Sequence, residues 1–174
     1  VAVVGNLLAG IGFVWLLVVV HEYGHVFAGR SLGVPADHIR VELSSPPAHV
    51  ALRDGDTWLS PDEPGYQAAF QRFNPSGDAA WLYVAAGLGA ETVLAVAAAA
   101  SLIAVGLDGA STTLLIASLL LGAGYLLVDV LGTARAGRPT GDHSAMWAMR
   151  RLPTAALVLV SLCLKIIGVS WASQ

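Results

Sequence analysis

The chain has 174 residues, 56% of them hydrophobic and only 12% charged, with a formal net charge of −3. It has no basic stripe with interleaved aromatics, which argues against a nucleic-acid partner. The single cysteine, Cys163, excludes an internal disulfide and a cysteine-ligated zinc cluster. Such a composition fits one small integral membrane domain over residues 1–174, with the lipid bilayer as its solvent.

Between residues 1 and 20 the only polar side chain is Asn6, and a run of this length reads as a membrane-spanning helix. It lacks a basic leader and is too long for a signal-peptide core, so a retained helix is expected. The helix should run over about residues 1–30, roughly 45 Å at 1.5 Å per residue against a hydrocarbon core of about 30 Å. It must tilt or project, with Arg30 reaching the head groups. Near its end stand His21-Glu22-Tyr23-Gly24-His25. On a helix, His21 and His25 lie one turn apart on the same face. Two imidazoles so placed can share one zinc ion, and Glu22 can serve as general base toward a water there. Chance matches to His-Glu-x-x-His occur on soluble helices. Inside lipid, three accidental ionisable groups would each cost on the order of a kcal/mol or more.

Residues 31–79 form the one long polar insert and hold six of the eight prolines. Alternation over residues 38–43 predicts a half-buried strand, and residues 49–53 a partner strand, giving a small membrane-associated β-hairpin. Asp54-Gly55-Asp56 reads as the turn that ends it. Ser60-Pro61-Asp62-Glu63 fits a capping box, followed by Tyr66, Phe70 and Phe73 at the spacing of a short amphipathic helix on the membrane surface. Further spans are expected at about 80–107, 110–134 and 152–171. Lys165 interrupts the last of these, and its stem is expected to carry the ammonium outward. The fold class is therefore an all-α membrane protein of about four transmembrane helices with one small hairpin. Arg30, Arg40, Arg53, Arg72, Arg135, Arg138, Arg150 and Arg151 all fall on the side where the first helix ends. The positive-inside rule places that side, with the hairpin and the histidines, toward the cytoplasm of a cell-membrane, multi-pass protein.

A catalytic zinc needs a third protein ligand. Glu91, Asp129 and Asp142 all stand in the half of the protein nearest the first helix's exit. Asp142 follows Pro139-Thr140-Gly141, a turn that can aim a carboxylate into the site, although an N-cap role would also explain it. His143 beside it is a substitute ligand or a surface residue. Asp129 is a ligand or the partner of a ligand histidine, and Glu91 is a ligand or a neutral, hydrogen-bonded membrane acid.

With these motifs in view, the sequence resembles the site-2 protease family of intramembrane zinc metalloproteases, over about residues 16–152. His21, Glu22 and His25 match its first motif fully. Pro139-Thr140-Gly141-Asp142 matches its Pro-x-x-Asp-Gly stretch in outline, with His143 in place of the glycine. Ala86-Gly87-Leu88-Gly89-Ala90-Glu91 is similar to its Ala-Gly-Pro-Leu-x-Asn stretch, without the proline and with glutamate for asparagine. Asp129 falls roughly where the family has an asparagine that helps hold substrate. The resemblance implies a Zn2+ endopeptidase acting on membrane-spanning protein substrates, with His21, His25 and Asp142 on the metal and Glu22 as base. It also implies a strand edge, near Val41 or Val50, that receives the unwound substrate. A rival from another class is a non-proteolytic membrane protein, either a metal-binding scaffold or one whose Glu91, Asp129, His21 and His25 line a proton or cation route.

Overall fold

The computed structural model describes residues 2–45 and 47–173. Among the described residues, four helices are long and apolar enough to cross a membrane: α1 (Ala2–Ser31), α3 (Gly77–Ala104), α4 (Asp108–Ala136) and α6 (Arg151–Ala172). Between α1 and α3 lie strands β1 (Ile39–Glu42), β2 (His49–Asp54) and β3 (Thr57–Leu59), then the short helix α2 (Tyr66–Phe73). A second short helix, α5 (Asp142–Met149), stands between α4 and α6. A long apolar helix stands at each of the four expected spans, with ends within three residues of the positions read from hydropathy. Large side chains such as Leu8, Trp15, Phe27, Val93, Val128 and Ile167 face outward from them, as lipid-facing residues do.

Helix α1 stops where its sequence supplies a C-terminal glycine. Gly33 adopts φ 105°, a left-handed conformation that costs glycine little. Its amide donates to the Arg30 carbonyl (3.2 Å), and that of Val34 to Gly29 (2.9 Å), which closes the helix as a Schellman motif. Pro35 follows, and Val34 is buried under the sheet.

The sheet is antiparallel in the order β1-β2-β3, with Ile39 opposite Leu52 and Leu52 opposite Leu59. The hairpin is thus extended by one strand. Asp54-Gly55-Asp56 does not end the structure; Gly55, at φ 61°, turns the chain into β3. Three residues with one aromatic, Thr57-Trp58-Leu59, are too short to show an alternation. Val50 lies in the central strand, bonded within the sheet, whereas Val41 lies in an edge strand.

Helix α2 begins at Tyr66, five residues later than the capping-box pattern implies. The box forms in part, since the Ser60 amide donates to Glu63 Oε2 at 2.5 Å. Pro64 then biases Glu63 away from helical backbone, and Gly65 adopts φ 100°. The apolar face of α2 covers the sheet. Ala69 and Phe70 are buried with Val50, Leu52 and Tyr83, and the Phe70 and Tyr83 rings stack at 4.7 Å. Tyr66 Oη donates to the Val50 carbonyl (2.9 Å) and lies 2.7 Å from Tyr83 Oη. The sheet and α2 are thereby fixed to the start of α3.

In the bundle interior, polar contacts join α3 to α6 and to α4. Lys165 is 3% exposed, and its Nζ lies 2.8 Å from Glu91 Oε2. It points inward, contrary to the expectation of an outward stem. Ser118 on α4 donates to Glu91 Oε1 at 2.5 Å. Thr92 and Ser161 pair at 2.7 Å, and Trp81 Nε1 donates to Thr154 Oγ1 at 3.0 Å.

Candidate metal centre

His21 and His25 sit one turn apart on α1, and their ring centroids are 4.9 Å apart. Both are buried, at 5% and 6% exposure. The chain places them against α3, where the helices approach closely. A Cβ on Gly24 would fall 2.5 Å from the Ala86 carbonyl oxygen. A Cβ on Gly87 would lie 2.4 Å from His25 Nε2 and 2.7 Å from His21 Nε2. Gly87 therefore forms the floor under both imidazole tips. His25 is oriented from behind, its Nδ1 lying 2.9 Å from the Tyr83 carbonyl oxygen. With the proton on Nδ1, that carbonyl accepts it and leaves Nε2 as a lone-pair donor. Tyr125 of α4 flanks His21, with ring centroids 5.2 Å apart.

Asp142 arrives from the far side of the chain. It is the first residue of α5, after the extended Gly141, and it does not cap the helix. Its Oδ2 lies 2.8 Å from His21 Nε2 and 3.1 Å from His25 Nε2. One ligand atom from each of His21, His25 and Asp142 lies within 4.8 Å of the others. Two imidazoles and one carboxylate form a donor set suited to zinc, and the absent Cβ of Gly87 leaves room at their tips. The trio can hold a metal ion.

The remaining candidates are engaged elsewhere. Glu91 gives one oxygen to Ser118 and the other to Lys165, and it does not join the trio. Asp129 accepts from the Ser144 amide, the Ser144 hydroxyl and the Thr133 hydroxyl; it bonds neither histidine. His143, next to Asp142, stands outside the trio as well; burial holds its imidazole below the ordinary value. Glu22 is 5% exposed beside His21. Among the described residues, none of the hydrogen bonds ends on its carboxylate, and it is not one of the three converging groups.

Two contributors, Gly87 and the Tyr83 carbonyl, were not singled out by sequence reasoning. Gly87 lies in a stretch with a second glycine, Gly89, whose Cβ would meet nothing within 4 Å. Composition cannot tell which of the two faces the histidines. Gly87→Ala is expected to lower metal affinity by at least about tenfold, within the range seen when supporting groups of a metal site are removed. The added methyl must displace a ring tied to Tyr83. Bound metal per folded chain after dialysis measures this, and unchanged retention would show that the floor is not needed. No family model, curated protein or solved structure matches this chain.

Proposed function

We propose that the protein is a zinc-dependent intramembrane endopeptidase similar to the site-2 protease family. The observation that carries this reading is the convergence of His21, His25 and Asp142, 117 and 121 residues apart in the chain, beside a buried Glu22 within membrane-length helices. Bound there, zinc would supply a Lewis acid and lower the pKa of a water. Glu22 accepts a proton from the attacking water and returns it to the leaving nitrogen. His25 is held by Tyr83 so that its Nε2 faces the site, and Asp142 brings the anionic donor.

The substrate class is a membrane-spanning protein. Its helix must unwind before attack, because helical amides and carbonyls are bonded to one another. Among the described residues β1 is an edge strand paired only with β2, and an opened segment can add on its other side as a further strand. The arginine-rich loops share the end of the bundle that carries the sheet and α5, as the Arg138 bond to Asp62 and the Arg150–Asp78 pair show. We place that end in the cytoplasm by the positive-inside rule.

The competing reading, a proton or cation route along Glu91, Asp129, His21 and His25, has less support. Glu91 and Asp129 both spend their oxygens on separate partners rather than on a shared path. The test is metal analysis of purified protein together with cleavage of a membrane-tethered reporter. About one zinc per chain is expected, with cleavage lost to a chelator and restored by zinc. Absence of tight metal binding would defeat the proposal, and metal without cleavage would leave a metal-binding membrane protein.

A further inference from the structure

Asp142 reaches the histidines only because α5 begins where it does, and one side chain of α4 fixes that start. Asp129 Oδ2 accepts from the backbone amide of Ser144 at 2.7 Å, and Oδ1 accepts from Ser144 Oγ at 2.5 Å. Thr133 Oγ1, one turn along α4, donates to the same Oδ1 at 3.1 Å. Ser144 Oγ in turn lies 3.3 Å from the Gly141 amide and 3.2 Å from that of Thr140, each amide donating to it. One amide of the first turn of α5, that of Ser144, which has no partner within the helix, and the two amides just before the helix are thus gathered onto one buried carboxylate and its serine. Two residues without side chains make the fit possible. A Cβ on Gly141 would fall 2.7 Å from Asp129 Cγ, and one on Gly132 would fall 2.5 Å from Thr140 Oγ1.

We infer that Asp129 is a positioning residue: by clamping the first turn of α5 through Ser144, it sets the carboxylate of Asp142 against His21 and His25. Asp142 is two residues from Ser144, and the only other ties of its turn to α4 among the described residues are the long contacts of Thr140 with Thr133 Oγ1 (3.3 Å) and with the Asp129 carbonyl (3.5 Å), so release of the clamp loosens the first turn of α5. A metal site tolerates little such movement in a ligand. The carboxylate also complements the positive end of the helix, which an amide does far less well. This inference rests on the trio being a metal site, and not on the protein being a peptidase.

The experiment compares Co2+ and Zn2+ binding by detergent-solubilised wild type, Asp129→Asn and Ser144→Ala, by competition with a chromophoric chelator and by the Co2+ ligand-field spectrum. Thr92→Val serves as a control, since it breaks the buried Thr92–Ser161 bond between α3 and α6 and leaves α5 untouched. Asp129→Asn is expected to weaken metal binding by roughly 10- to 100-fold and to alter the Co2+ spectrum, with a smaller loss for Ser144→Ala. The control is expected to lose thermal stability while keeping wild-type affinity and spectrum. Wild-type affinity and spectrum in both Asp129→Asn and Ser144→Ala would overturn the positioning role while leaving the metal site standing. An equal loss of affinity in Thr92→Val would overturn it too, by showing that any loosening of the bundle suffices. If wild type itself binds neither ion, the metal-site reading falls, and the inference falls with it.

Discussion

Glu22→Gln is expected to leave the metal content of the protein unchanged and to slow peptide hydrolysis by a factor on the order of 10²–10⁴, the usual contribution of a positioned general base. The substitution keeps the size and planarity of the side chain and removes its ability to take a proton. Glu22 stands outside the converging trio of His21, His25 and Asp142, so the donor set is intact in the variant. Nor should the fold suffer. The residue is 5% exposed, and replacing a buried carboxylate with an amide removes a desolvation cost. Hydrolysis of a membrane-tethered reporter, measured beside zinc content and thermal stability, separates the roles. Wild-type cleavage by Glu22→Gln would sink Glu22 as the base. A parallel loss of zinc would mean that the carboxylate belongs to the metal shell. Asp142→Asn offers the complementary result, since loss of the anionic donor should reduce zinc content as well as cleavage.

The architecture was legible in the sequence wherever one physical rule acted alone. Four apolar runs gave four helices, because backbone groups in lipid must be satisfied within the segment. His21 and His25 were legible because helical spacing alone puts them on one face. Asp142 was legible in outline, since a proline and a glycine before an acid mark a turn that can enter the site. Where two rules competed, the packing of the helices decided the outcome. Lys165 is able to snorkel or to pair, and only the packing of α6 against α3 decides that it meets Glu91 at 2.8 Å. Asp129 was open to the metal or to a ligand histidine; it meets neither and bonds Ser144, fifteen residues on, instead. Strand β3 escaped notice because three residues show no period, and α2 was expected too early because Pro64 overrides the capping signal of Ser60 and Glu63.

Lys165→Met is expected to be among the most destabilising single changes in the chain, costing about 3–5 kcal/mol, the range for breaking one half of a buried ion pair. The partners are 3% and 4% exposed at their side chains, near the middle of α6 and α3, where solvent offers no rescue. Glu91 lies four residues beyond Gly87 on the same face of α3, so the pair sits about 6 Å deeper than the floor of the candidate metal site. Apolar helices gain little from meeting one another in lipid, which is as apolar as their own side chains. A cation on α6 that must find an anion on α3 therefore fixes the register of the last helix in a way that leucine cannot. The double variant Glu91→Leu/Lys165→Met should recover most of the lost stability, because neither charge is then stranded. Its α6 should be less strictly placed. Thermal unfolding of the two single variants and the double variant in detergent gives the coupling energy, and cysteine cross-linking between α3 and α6 reads the register. Additive losses in the double variant would show that the two groups do not act as a pair. A double variant as stable as wild type, with unaltered cross-links, would show that packing alone positions α6.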